Sequence, residues 1–165
     1  MVKKISLHIH ICLLISILVF QLSFIFHSTA NAANQAESYF DKGHTCYWSG
    51  DYDETIKYLT KAIEIKPDWK YYEVRADAYM QKHEYDKAIK DCDALISLKP
   101  DYYAPYLRKG DALREKHEYN QAMDNYNKAI KMNCELAYLH RGDLYLILND
   151  CDNAIKDYET MMKLF

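Results

Sequence analysis

Apolar residues recur through residues 36–165 at the spacing of one face of an α-helix, and the pattern repeats along the chain. In one copy, Ala88, Cys92, Leu95 and Ile96 follow an i, i+4, i+7, i+8 order, which places them on one side of a helix. Each copy holds two helical stretches joined by a short turn. The pattern therefore predicts pairs of antiparallel helices.

Four copies of this unit align on a column of small residues: Gly43, Ala76, Gly110 and Gly142, spaced by 33, 34 and 32 residues. Twelve residues after each small residue come Thr55, Ala88, Ala122 and Ala154. Sixteen residues after it come Leu59, Cys92, Tyr126 and Tyr158. Pro67 and Pro100 close the first two units. Columns that recur at a fixed period of this length indicate stacked structural repeats.

Residues suited to helix ends stand between the two helices of each unit. The turn column is Gly50, His83, His117 and Asn149, where the sequence predicts a left-handed backbone conformation. The column that follows, predicted to cap the second helix, is Asp53, Asp86, Asn120 and Asp152. Lys66 and Lys99 precede the prolines and favour the end of the second helix through its dipole.

At these columns the chain resembles the tetratricopeptide repeat, whose unit is about 34 residues long. The matching aromatic and small residues are Tyr39 and Gly43; Tyr72, Ala76 and Tyr79; Tyr106, Gly110 and Tyr126; and Tyr138, Gly142, Tyr145 and Tyr158. The resemblance implies an all-α fold, a right-handed α-solenoid of four helix-turn-helix repeats. Their expected bounds are 36–68, 69–102, 103–134 and 135–165.

The chain departs from the family pattern in one column, where Lys or Arg stands in place of the usual Leu. This column is Lys42, Arg75, Lys109 and Arg141. We expect the aliphatic stems of these side chains to lie over the neighbouring helix and their charged heads to pair with acids at the rim.

The first 32 residues are predicted to be a secretory signal peptide rather than part of the fold. Lys3 and Lys4 precede an apolar run, and Ala30-Asn31-Ala32 forms a small-residue exit after it. The alternative is an uncleaved N-terminal membrane anchor, but the densest apolar run, 11–26, is shorter than the roughly 20 residues that span a bilayer. The expected location is therefore periplasmic or secreted.

Charge and cysteine content narrow the function further. The 165 residues carry 21 basic and 24 acidic side chains, and this balance argues against a nucleic-acid partner.

Removal of the segment 1–32 leaves Cys46, Cys92, Cys134 and Cys151. Their positions in the repeat keep them too far apart for the Cα separation of about 7 Å or less that a disulfide needs, so four free thiols are expected.

No constellation of residues indicates catalysis, and no cofactor is implied. The chain has no P-loop, HExxH or GxSxG motif. His83 and His117 stand in matching KHEY strings but belong to the turn column one repeat apart, roughly 10 Å at helix-packing distance. A metal needs its ligands at about 2 Å. We therefore expect no catalytic residues, no metal site and no enzyme activity.

The family resemblance implies that the exposed face of each first helix lines a concave groove. The residues assigned to this groove are Phe40, His44, Tyr47, Glu73, Asp77, Met80, Leu107, Asp111, Arg114, Leu139, Asp143 and Leu146. The acids among them favour a partner segment with basic residues, although a solvated face explains an acidic row equally well. The Asn and basic residues with which some family members clamp a C-terminal carboxylate are missing from these positions.

The resemblance implies an exported, non-enzymatic module that binds a peptide or protein segment in the groove. The alternative is a structural or assembly subunit of an envelope complex that associates through the ends of its solenoid. An apolar stripe at the C-terminal edge, including Met162, Leu164 and Phe165, supports an interface there with a partner or with a second copy, as a homodimer.

Overall fold

The computed structural model describes the backbone of residues 2–164 and the side chains of residues 18, 20–22 and 28–164. Over this part of the chain it contains eight α-helices: α1 (Val2–Trp48), α2 (Tyr52–Ile65), α3 (Trp69–Gln81), α4 (Tyr85–Leu98), α5 (Ala104–Glu115), α6 (Tyr119–Lys131), α7 (Leu136–Ile147) and α8 (Cys151–Leu164). The predicted all-α solenoid of four helix pairs is confirmed.

The helices pack in chain order, each against the next. In addition, α1 contacts α3, α3 contacts α5, and α5 contacts α7. Among the described residues, the second helices of successive pairs make no such contacts with one another. The first helices therefore lie closer together and line the concave side of the solenoid.

The predicted left-handed turns are confirmed in all four units. The backbone φ angle is 80° at Gly50, 57° at His83, 61° at His117 and 60° at Asn149. In each turn the next residue donates its backbone N–H to a carbonyl five residues back, as in the Glu84 to Tyr79 bond of 2.9 Å. This bonding satisfies carbonyls that the end of the first helix would leave unpaired.

The predicted N-cap positions are wrong by two residues. Helix α2 is capped by Asp51, whose carboxylate accepts from the Glu54 N–H at 3.1 Å, and Asp150 accepts from the Asn153 N–H at 3.2 Å. The other two second helices follow Glu84 and Glu118, without a side-chain capping bond. The predicted column, Asp53, Asp86, Asn120 and Asp152, lies inside the first turn, because the left-handed turn reverses the chain so tightly that the second helix begins earlier.

Three of the four basic residues that replace the usual Leu bind acids, and two of these pairs are buried rather than at the rim. Arg75 donates to both oxygens of Asp91 at 2.8 and 2.7 Å, and Arg141 donates in the same way to Asp157. Both carboxylates lie sixteen residues after the arginine and are buried. Because the side chains of both helices in a pair meet at this depth, the arginine ties the two helices together.

The four cysteines that follow the predicted signal segment are free thiols, as expected. Cys92 and Cys134 are buried, Cys46 is half-buried and Cys151 is exposed. The apolar core of the predicted signal peptide lies largely outside the described side chains. Where side chains are described, no helix is long and apolar enough to cross a membrane.

Candidate functional site

A row of aromatic side chains occupies the N-terminal end of the concave face. Phe40, His44 and Trp48 follow an i, i+4, i+8 order on α1, with ring centroids 5.5 Å apart for the first pair and 6.0 Å for the second. The Trp48 indole N–H donates to His44 Nε2 at 3.1 Å, yet the residue is 75% exposed. Trp48 continues the predicted Phe40–His44 row by one more turn but was not among the residues predicted to line the groove.

This row is continuous with the rest of the first seam between units. The Phe40 ring lies 5.2 Å from the ring of Tyr71 on α3. Tyr47 packs 5.8 Å from the rings of both Trp48 and Tyr52. Burial, with the nearby charge of Asp77, raises the pKa of the Tyr47 phenol, so the ring stays neutral. The N-terminal end of the groove is therefore an aromatic surface on two units.

The middle of the groove is a closed network of charges. Arg108 on α5 donates to the Asp77 carboxylate through Nε and, at 3.1 Å, through Nη2, and its Nη1 lies 3.1 Å from Glu73. The Tyr102 hydroxyl donates to the same Glu73 at 2.6 Å. Burial alone would lower the pKa of Arg108, but the charges of Asp77 and Glu73 outweigh it and raise that pKa. Burial raises the pKa of the Asp77 carboxyl.

The remaining predicted acids are paired in the same manner. Asp111 accepts from the Tyr126 hydroxyl at 2.9 Å and lies 2.6 Å from His140 Nδ1. Asp143 accepts from the Tyr158 hydroxyl at 2.8 Å. The acidic row is thus neither a bare solvated face nor an open cation site. Arg108 neutralises Asp77 from the next unit, His140 of the next unit contacts Asp111, and Asp143 has only the Tyr158 hydroxyl; neither Arg108 nor His140 was among the predicted residues.

The C-terminal end of the groove is aliphatic. Leu146 is 47% exposed, Leu139 is half-buried, and Ile147 and Leu148 extend the exposed patch beyond the predicted residues. Two assigned residues, Met80 and Arg114, are half-buried between these ends. The assigned Leu107 belongs to the buried core, because its face of α5 turns into the seam between units rather than toward solvent.

The structure also describes the predicted C-terminal edge and the two turn histidines. Met162 is 70% and Leu164 is 49% exposed at the C-terminal edge, while Phe165 lies outside the described residues. His83 and His117 each lie within hydrogen-bond distance of a tyrosine two residues on, at 2.6 and 2.7 Å. No group of three or more His, Cys, Asp and Glu side chains among the described residues is arranged to hold a metal ion.

Stacked helix pairs of near-constant length, with left-handed turns and a small-residue column, define a helical repeat solenoid. Three family models, each described as "Tetratricopeptide repeat", match residues 36–68, 70–102 and 107–162. The chain belongs to the tetratricopeptide repeat family.

Curated relatives share the repeat region but are much longer. The chain is 32% identical over 135 residues to "Small glutamine-rich tetratricopeptide repeat-containing protein 2" of Saccharomyces cerevisiae, a match covering 81% of this chain and 35% of that protein. It is 28% identical over 100 residues to "Heat shock protein STI1" of the same yeast, covering 59% of this chain and 17% of that protein. The chain thus spans about a third or less of these relatives.

Solved structures show the same fold at low identity. A crystal structure of MamA superposes with a TM-score of 0.73 at 22% identity, covering 79% of this chain and 78% of that one. The "First TPR of Spaghetti (RPAP3) bound to HSP90 peptide SRMEEVD" superposes with a TM-score of 0.67 at 24% identity, covering 71% of this chain and 95% of that one. At these identities the likeness shows the fold alone.

Proposed function

We propose that this protein is an exported, non-enzymatic interaction module that binds a peptide or protein segment in its concave groove. The observation that carries the proposal is the exposed aromatic row ending in Trp48, which lies on the concave face of the first helices. A solved member of the fold holds a peptide, which supports the same use of this one. Export rests on the residue pattern of segment 1–32.

The two apolar ends of the groove supply the binding energy. The central acids Asp77 and Asp111 already hold Arg108 and His140, so a ligand gains little by competing for them. Trp48 and Leu146, by contrast, present apolar surface worth about 25 cal/mol for each Å² that a ligand covers. Exposed Trp side chains are also frequent energetic centres of interfaces. We therefore propose a ligand segment with apolar anchors at both ends.

A preference for basic residues remains part of the proposal, in a weaker form. The acidic row leaves some carboxylate surface open, since both Glu73 and Asp77 are half-buried rather than buried. Each added ion pair at such a site contributes roughly 0.2–1 kcal/mol and weakens with salt. Replacement of Asp111 by Asn should therefore reduce the affinity for a Lys-rich ligand only slightly.

The test is affinity capture from the native extracytoplasmic fraction with matched leucine and tryptophan variants. Trp48→Ala and Leu146→Ala should each weaken capture of the same partner, about tenfold or more for the tryptophan. The control is Leu98→Ala, because Leu98 is 50% exposed, much like Leu146, but lies on the second helix α4 outside the groove. Capture that survives both groove variants unchanged would refute groove binding.

A second candidate function is a structural or assembly subunit that associates through its C-terminal edge. The exposure of Met162 and Leu164 favours it. The same variants distinguish the two candidate functions. The groove variants should leave such an assembly intact, whereas Met162→Lys should disrupt the assembly and leave peptide capture unchanged.

A further inference from the structure

The outer face of each second helix carries two aliphatic columns. The first is Ile56, Ile89, Met123 and Ile155, and the second is Ile63, Ile96, Ile130 and Met162. In the first three units all of these side chains are half-buried. In the fourth unit Ile155 is 55% and Met162 is 70% exposed. The same positions that pack between units therefore form open apolar surface on α8.

In the inner units, the first helix of the next unit covers this face. Ile63 on α2 and Val74 on α3 both pack against a buried cluster that includes Tyr71 of α3, and Ile130 on α6 lies against the core that includes Leu144 of α7. On each of these first helices the residues five positions before and two positions after the small residue are buried: Tyr71 and Ala78, Pro105 and Ala112, and Ala137 and Leu144. The matching face of α8 would therefore suit an incoming helix that has a small or apolar side chain at each of these two positions.

The groove side of the second and third seams adds a contact between an acid and a basic residue in the same register. Asp77 binds Arg108, and Asp111 binds His140. In both cases the basic residue belongs to the next unit and lies two positions before the small residue of that unit. Asp143 is the equivalent acid of the fourth unit. It binds the Tyr158 hydroxyl of its own unit and has no basic partner among the described residues.

The basic residue at the adjacent position of each incoming helix also makes a polar contact with the preceding unit, and in one seam the partner is an acid. Arg75 donates to Thr60 at 2.9 Å, and Lys109 donates to Asp93 at 2.5 Å, each reaching back to the preceding unit. Arg141 reaches back to Asn127 in the same way. The equivalent residue of the fourth unit is the acid Glu159, which is exposed and only lies 3.9 Å from Lys163 of its own helix.

We propose that the C-terminal edge, defined by Asp143, Ile155, Glu159 and Met162, docks an α-helix of a partner protein that carries two consecutive basic residues. The first basic residue faces Asp143 and the second faces Glu159. The partner helix also carries a small apolar residue three positions before the first basic residue and another one four positions after it. These two residues cover Ile155 and Met162. This pattern is the one that Arg108-Lys109 and His140-Arg141 already present within the chain.

A second copy stacked head to tail does not fit this edge. On α1 the two positions that would cover Ile155 and Met162 are Ser38 and Thr45, and the position that would face Asp143 is Asp41; all three are polar and exposed, and Lys42 alone, opposite Glu159, matches the proposed pattern. Asp41 would stand opposite Asp143, and two like charges at a desolvated contact repel each other. The N-terminal edge is polar, whereas the C-terminal edge is apolar and acidic, so a partner helix with apolar and basic residues matches the C-terminal edge better than a second copy does.

The experiment measures binding of a dye-labelled, alanine-based helical peptide of about 20 residues to the full chain by fluorescence anisotropy. The probe carries Ala, Arg-Lys and Ala at the proposed spacing, and a matched probe carries Glu-Glu in place of Arg-Lys. Circular dichroism first establishes that both probes are helical. The Arg-Lys probe should bind about tenfold or more tightly than the Glu-Glu probe, with the difference reduced by salt.

Three variants of the chain locate the contact. Met162→Lys should abolish binding of the Arg-Lys probe, Glu159→Lys should shift the preference toward the Glu-Glu probe, and Trp48→Ala in the groove should change nothing. Equal binding of the two probes, no binding of either, or binding that survives Met162→Lys would each overturn the proposal. So would sedimentation of the chain alone as a dimer that Met162→Lys dissociates, because the edge would then belong to a second copy. None of these outcomes depends on the groove.

Discussion

The size of the residue in the small column follows the bulk of the side chain it meets sixteen positions later. Gly110 faces Tyr126 and Gly142 faces Tyr158, where an added Cβ would stand 2.5 and 2.6 Å from the ring. Ala76 occurs in the unit where the facing residue is the smaller Cys92. The helices of a pair thus approach equally closely by combining large with small.

Replacing Gly110 by Ala should destabilise the protein by roughly 1–3 kcal/mol, because the new Cβ would displace the fully buried ring of Tyr126. The measurement is urea denaturation followed by circular dichroism. The matched control is Gly43→Ala, where the nearest atom is Leu59 Cγ at 3.0 Å and a smaller displacement relieves the contact. If the two variants were equally stable, steric conflict would not be the reason for glycine in this column.

Burial separates two ion pairs whose basic residues occupy the same column of the repeat, one pair within a unit and the other between units. Asp91 is 6% exposed where it holds Arg75, whereas Asp93 is 52% exposed where it holds Lys109. Asp91→Ala should cost about 3–5 kcal/mol of unfolding free energy, because it leaves a buried guanidinium uncompensated. Asp93→Ala should cost about 0–1 kcal/mol. Thermal or chemical unfolding of both variants checks this, and similar losses would contradict the role given to burial.

At the scale of the helix, each unit ends its first helix by the same backbone device but begins its second helix in different ways. The left-handed residue is Gly, His, His or Asn in the four turns, all types that tolerate this conformation. Only the first and last second helices gain an aspartate cap, Asp51 and Asp150. The acids two positions later sit in the first turn, where they stabilise the helix through its dipole.

Asp51→Ala should destabilise the protein more than Asp53→Ala does. The first change removes the carboxylate that accepts from Glu54 N–H, a loss of about 0.5–2 kcal/mol. The second removes a first-turn charge and an exposed contact with Lys82, typically about 0.3–1 kcal/mol. Urea midpoints of the two variants give the comparison. A larger loss for Asp53→Ala would restore it as the capping residue.

At the scale of the whole molecule, the solenoid is asymmetric from end to end. The groove runs from an aromatic first unit through a self-compensated charged centre to an aliphatic fourth unit, and the two edges differ in the same direction. Under the proposed function, a ligand segment would bind in one direction only, because it would meet different chemistry at the two ends of the groove.

Export predicts that the native protein begins at Ala33. N-terminal sequencing checks this directly, and a thiol count gives an independent measure. The whole sequence contains five cysteines, so denatured, unreduced protein should titrate four thiols after removal of Cys12 with the signal segment. Five thiols with an intact Met1 in a membrane fraction would show that the segment is retained as an anchor.

The same thiols should react at very different rates in the folded protein. Cys151 is exposed and should react with an alkylating reagent at the rate of a free thiol. Burial raises the pKa of Cys92 to about 12, so at neutral pH this side chain is both inaccessible and protonated and should react only on unfolding. Mass spectrometry of timed alkylation measures each site. Rapid labelling of Cys92 would show that α4 opens locally.

The sequence by itself determined the features that depend on residues within one unit. Helical spacing, turn residues such as His83 and Asn149, and the small column all act over fewer than about 20 residues, so their pattern predicts helices, turns and the repeated pair. The tertiary structure decided what happens between units. It paired Asp77 with Arg108 and Asp111 with His140, and it turned Leu107 into the core. These contacts join residues some 30 positions apart, and their geometry depends on how helices of neighbouring units pack, which no local periodicity encodes.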